Sequence, residues 1–82
     1  MRKFEIRGVW YTGPNRVESY PRDELDIRTA DYGRPPNAIG IYERLQDGSL
    51  VHVTDEPDVL AADKFLDAFL ATLNMVRQVA TG

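Results

Sequence analysis

From Lys3 to Thr12 polar and apolar positions alternate. Phe4, Ile6 and Trp10 share one side, with Gly8 between them, and Glu5, Arg7, Val9 and Tyr11 share the other. A period of two in aromatic and β-branched residues predicts a half-buried strand. Thr12-Gly13-Pro14-Asn15 is turn chemistry and ends it. Arg16 to Tyr20 predicts a shorter strand that pairs back as a hairpin and stops at Pro21, whose nitrogen has no proton for a ladder.

The middle of the chain is less regular. Pro21 to Leu25 reads as one helical turn or an irregular corner. Asp26 to Tyr32, with Ile27 as its one strongly apolar aliphatic, reads as an edge strand or an ordered loop. Gly33-Arg34-Pro35-Pro36-Asn37 is a clear break, because consecutive prolines favour an extended, stiff path.

Ala38 to Leu45 and Leu50 to Thr54 predict a second hairpin around Asp47-Gly48. A two-residue loop would pair Arg44 with Val51 and Glu43 with His52, mixing apolar and charged residues on both faces. A three-residue loop with Gly48 left-handed pairs Ile41 with Val53 and Glu43 with Val51. It collects Ile39, Ile41, Leu45, Val51 and Val53 on one face. A slip of one residue exchanges the faces, so the pattern favours the longer loop.

The last segment, from about Pro57 to Ala80, has helical period. At about 100° per residue, Ala62, Phe65, Leu66, Phe69, Leu73, Val76 and Ala80 cluster on one side. Asp63, Lys64, Asp67, Ala71, Asn74, Gln78 and Thr81 lie opposite, as in a helix packed on a sheet. Pro57 suits a first turn, Asp55, Glu56 and Asp58 suit its positive dipole end, and Thr54 or Asp58 is the expected cap. Arg77 suits the other end. Leu60, Leu70 and Met75 fall at the margins of the stripe. The fold class predicted is α+β: one domain spanning residues 1–82, an antiparallel sheet of about four strands packed against one long C-terminal amphipathic helix, in the order β-β-irregular-β-β-α.

Composition narrows the class. The chain has 82 residues, 43% apolar and 28% charged, the balance of a folded domain rather than a disordered one. The net charge of -3 is spread evenly, with no run of Lys or Arg, which argues against a dedicated nucleic-acid binder. Without cysteine there are no disulfides and no thiol chemistry, and a domain this small reads as cytoplasmic. Glu5 and Arg7 interrupt the basic start, so no signal peptide is expected. No apolar run approaches the ~20 residues of a membrane span.

Candidate chemistry is sparse. His52 is the single histidine, with no nucleophile or carboxylate tied to it by spacing; it is expected to face away from the helix beside Tyr42. Asp55, Glu56 and Asp58 fit helix-dipole complementarity better than a cation loop. No glycine-rich phosphate motif occurs. No catalytic residue, cofactor or metal site is therefore expected. Tyr11, Tyr20, Tyr32 and Tyr42, expected on the outer sheet face or in loops, together with Arg7, Arg44 and Arg34 of the stiff loop, are the partner-binding candidates, since Tyr and Arg dominate interface hot spots. The sequence thus predicts a small non-enzymatic binding protein with a protein partner. Phage- and mobile-element-encoded inhibitors of host machinery, anti-CRISPR proteins among them, share this size and composition. The alternatives are a homodimeric accessory module using Leu60, Leu70 and Met75, and a single-stranded nucleic-acid binder using the Tyr/Arg face.

Overall fold

The computed structural model describes residues 2–81, with side chains from 2 to 76. Strand β1 (Lys3–Gly13) and strand β2 (Arg16–Pro21) form the first hairpin. Asn15 takes the left-handed conformation at its turn (φ 63°), which Asn accepts more readily than other side chains. A 3-10 turn (Arg22–Glu24) leads into helix α1 (Leu25–Tyr32). Strands β3 (Ala38–Arg44) and β4 (Leu50–Glu56) form the second hairpin, and helix α2 (Val59–Thr81) follows. The four strands make one antiparallel sheet in the order β2-β1-β3-β4.

The α+β arrangement agrees with the sequence reading; the irregular middle does not. Asp26–Tyr32 is neither strand nor loop but most of α1. Its period was hidden because its inward apolar surface is little more than Leu25 and Tyr32, while Ile27 is exposed. Local terms reinforce it. Glu24 pairs with Arg28 one turn on at 2.9 Å. Gly33 closes it in the left-handed conformation (φ 69°) that a C-terminal cap needs.

The second hairpin has the three-residue loop expected from the pattern. Gly48 is left-handed (φ 89°), Leu45 N–H donates to the Ser49 carbonyl at 2.9 Å, and Glu43 pairs with Val51. The expected pairing of Ile41 with Val53 is replaced by Ile41 with Thr54, because a bulge inserts Val53 between the Thr54 and His52 registers. Val53 still reaches the core, but Leu45 and Val51, expected there, are exposed. They stand near the hairpin tip, and α2 has by then crossed toward Phe4 at the start of β1, where Phe69 meets it edge-on at 5.3 Å.

The core is Ile6, Ile39, Ile41 and Ala62, with Leu25, Val53, Val59, Phe65 and Leu66 packed on it. Asp58 caps α2, accepting from Ala61 N–H at 2.8 Å. Trp10, fully buried, anchors a second cluster under α1. Tyr32 stacks on it at 5.1 Å and Tyr20 meets it edge-on at 5.9 Å. Both helices lie on the Phe4/Ile6/Trp10 side of the sheet. Val76, assigned by period to the packing stripe of α2, is 62% exposed. The side chains of Gln78, Ala80 and Thr81, also assigned by period, that of Arg77, assigned to the C-terminal end of the helix, and all of Gly82 lie outside the described residues.

Candidate functional site: the open sheet face

The strand registers place one set of residues on the side without helices. β2 contributes Val17 and Ser19, β1 contributes Glu5, Arg7, Val9 and Tyr11, β3 contributes Gly40, Tyr42 and Arg44, and β4 contributes His52 and Asp55. His52 and Asp55 are three apart, a spacing that sends side chains to opposite faces of a regular strand. The bulge at Val53 brings them to the same face, where imidazole Nε2 and the Asp55 carboxylate are 2.8 Å apart. Tyr42 meets the His52 ring edge-on at 5.3 Å. Its ring lies over Gly40, where a Cβ would stand 2.7 Å from Tyr42 Cε1 and 3.2 Å from Asp55 Oδ1. Glycine is therefore what lets the tyrosine lie flat on the sheet.

The charged groups of this face are mutually satisfied. Arg7 donates to Ser19 Oγ at 3.0 Å, to the Ser19 carbonyl at 3.1 Å and to Glu5 at 2.8 Å. Glu5 also accepts from Arg44 Nε at 2.6 Å, and Arg44 donates to the Gly48 carbonyl at 2.8 Å. The Arg44 hydrogen bond, then that from Arg7, holds the Glu5 carboxyl below its ordinary range. Burial, then the Asp55 charge, pushes the Tyr42 phenol up. What stays exposed between the charges is ring and aliphatic surface: Tyr11 is 50% exposed and Val17, opposite it, 59%.

Of the seven residues singled out in the sequence, the structure brings Arg7, Tyr11, Tyr42 and Arg44 together here. Tyr20 and Tyr32 are on the other face. Gly8 pairs with Tyr20, so Tyr20 shares the Trp10 side, and Tyr32 arrives there from the end of α1. Their hydroxyls meet at 3.0 Å and converge on the Glu18 carboxylate, with a hydrogen bond from Tyr32 to Glu18. These bonds lower the Glu18 pKa and raise that of Tyr32. Arg34 is also committed to the fold. It donates to Asn37 Oδ1 at 2.6 Å and to the Tyr11 carbonyl at 2.7 Å, and its own carbonyl accepts from Trp10 Nε1 at 3.1 Å. The Pro-Pro loop is thus a strap across the end of β1, fastened by Asn37 N–H to the Val9 carbonyl at 2.7 Å.

Sequence reasoning missed Val17, Ser19 and the His52–Asp55 pair. Alternation along Arg16–Tyr20 carried the signal for the first two. Nothing local marked the bulge that made the third. Elsewhere, an open groove of about 570 Å³ lined by Glu5, Ile6, Pro21, Arg22 and Asp23 has mixed charge and no paired nucleophile and base. Among the described residues no cluster of His, Asp and Glu is arranged to hold a metal ion, and no helix is long and apolar enough to cross a membrane. In comparisons with protein families, curated proteins and solved structures, the chain matches none.

Proposed function

We propose that this is a non-enzymatic binding protein whose open sheet face docks on a protein partner. On this reading it acts by occupying a partner's surface, as small phage- and mobile-element-encoded inhibitors do. The observation that carries it is one sheet face, free of both helices, on which Tyr11, Val17, Tyr42 and His52 are presented beside Glu5, Arg7 and Arg44, whose charges are paired within the chain. A partner covering such a face removes aromatic and aliphatic area from water without stripping an unpaired charge of its hydration. The same pairing weighs against single-stranded nucleic acid as the ligand, since Arg7 and Arg44 are engaged by Glu5.

The test compares immobilised wild type with Tyr11→Ser/Val17→Ser in lysate of the native host, read by mass spectrometry. A protein captured by wild type and by Leu60→Ser, but lost with the double variant, is the expected result. Equal capture by all three, or none by wild type, removes the sheet face from consideration. Both substituted side chains are exposed, so the fold is retained in the variant.

A further inference from the structure

The paired charges of the open sheet face stop short of its rim. There Lys3, the first residue of β1, stands directly opposite Arg44, the last of β3. Like charges facing each other across an antiparallel pair are destabilising. The carboxylates nearby are committed. Glu5 serves Arg44 and Arg7 together. Glu43 pairs with Phe4 and so turns to the helix side of the sheet, where Arg2 holds both its oxygens at 2.9 Å. Asp47 accepts from Ser49 N–H at 2.9 Å and from Ser49 Oγ at 2.6 Å. Lys3, Arg7 and Arg44 thus share one carboxylate at this end of the face, in a chain whose net charge is -3. Lys3 is exposed and makes no ion pair among the described residues.

A pocket of about 300 Å³ opens at this rim, lined by Lys3, Arg44, Leu45, Gln46 and Gly48. That is the small end of the range for ligand sites, about 300–1,000 Å³, and suits a side chain rather than a whole ligand. Arg44 is already held in place. Its Nε donates to Glu5 at 2.6 Å and its Nη1 to the Gly48 carbonyl at 2.8 Å. These two bonds fix the guanidinium plane and leave Nη2 without a hydrogen bond among the described residues. A fixed guanidinium loses little freedom on receiving an anion. Leu45, 40% exposed, offers a wall along which the methylenes of an incoming side chain can lie. We propose that this pocket takes an acidic side chain, a glutamate or aspartate of the protein partner, with its carboxylate between Lys3 Nζ and Arg44 Nη2. The assignment rests on the open sheet face being the docking surface, and it names what the partner carries at the Lys3 end. The placement of charge selects this occupant. The unbalanced cations are confined to one rim, and farther along the same face stands Asp55 beside His52, which a phosphate chain laid across the face would meet. A single carboxylate entering at the rim meets two cations and no carboxylate except Glu5, which two arginines already hold.

The test is a titration of the isotope-labelled full chain with a capped tetraglutamate peptide at low salt, read by NMR amide shifts. Saturable shifts of the Lys3, Leu45 and Gly48 amides in the millimolar range are expected. Lys3→Gln, at an exposed strand end that leaves the core untouched, should weaken binding about two- to fivefold, the worth of one exposed ion pair. Lys3→Arg should bind as wild type does. So should Lys64→Gln, which removes the same charge from the exposed back of α2. Absence of shifts at the pocket overturns the proposal, as does an equal loss in Lys3→Gln and Lys64→Gln, which would reduce the effect to overall charge. So does inorganic phosphate or oligothymidylate saturating the same amides at lower concentration than the peptide, which would make a phosphate the occupant. The peptide is added directly, so the titration reads the pocket alone. Its failure with lysate capture intact removes the pocket and leaves the sheet face. Failed capture with the peptide still bound removes the sheet face as the docking surface and leaves the acidic-group assignment standing.

Discussion

Gly8 is the point where β1, Trp10 and α1 approach most closely, and its replacement by alanine is a sharp test of the packing described above. An added Cβ would stand 2.2 Å from Leu25 Cδ2 and 2.9 Å from Trp10 Cζ3. The first contact is with the far end of Leu25, which is packed on the core and must change rotamer, giving up part of that packing. The second is with a fully buried ring held by its hydrogen bond to the Arg34 carbonyl and by Tyr32 stacked on it. Overpacking of this kind costs about 1–3 kcal/mol. Alanine regains roughly 0.5–1 kcal/mol relative to glycine in a strand. The net expectation is a loss of about 1–2 kcal/mol. For a domain of this size that lowers Tm by roughly 4–15 °C. With a urea slope near ~1 kcal/mol per M, the midpoint moves down by about 1–2 M at constant slope. Gly13→Ala is the control, since its nearest atom is Arg16 Cδ at 3.8 Å. In a Leu25→Ala background the cost of Gly8→Ala should shrink, because one of the two opposing groups is gone. A Gly8→Ala protein as stable as wild type, or an identical cost in both backgrounds, would refute the argument that close approach is what requires glycine here.

Other consequences are as direct. The Glu18 pKa is lowered first by the Tyr32 hydrogen bond, so its contribution is present above the ordinary carboxylate value of 4.5 and is lost as pH falls through the depressed folded value. Glu18→Gln should therefore flatten the acid limb of stability against pH, measured by urea midpoints between pH 2 and 6. The Tyr32 pKa is raised by the same bond, so its contribution is present below pH 10 and declines as pH rises further, and Tyr32→Phe should flatten that alkaline limb. Glu5→Gln leaves Arg7 and Arg44 without their shared carboxylate, at a cost of about 1 kcal/mol for this partly exposed network; the cost should diminish in 1 M salt, and a salt-independent loss would point to packing instead. Gly48 has nothing within 4 Å of a built Cβ but φ of +89°, so Gly48→Ala should cost about 1–2 kcal/mol from backbone conformation alone, and Gly48→Asn less.

How much of this was legible in the sequence depended on how local the cause was. The alternation of Phe4, Ile6 and Trp10 against Glu5, Arg7 and Tyr11 determined β1 and its faces, because a strand's side-chain period is fixed by its backbone. Asp47-Gly48 and the apolar positions around it determined the loop length of the second hairpin, because a slip of one residue would have buried charges. The stripe from Ala62 to Val76 and the Asp58 cap determined α2. The face of Tyr20 depended on where β2 pairs along β1, and Gly8 opposite Tyr20 is a long-range choice. α1 was hidden because its inward surface is little more than Leu25 and Tyr32, and its stability comes from covering Gly8 and Trp10. The bulge at Val53, which joins His52 to Asp55, answers to the competing demands of the Ile41 register and the core. Arg34 read as a free cation on a stiff loop, yet the carbonyl and the side-chain amide it serves belong to Tyr11 and Asn37, 23 and 3 positions away. Periodicity and turn chemistry act over a few residues and are written in the chain itself. Which faces meet, which are left open and how far α2 outruns the sheet are set by contacts between distant segments, which only the folded structure supplies.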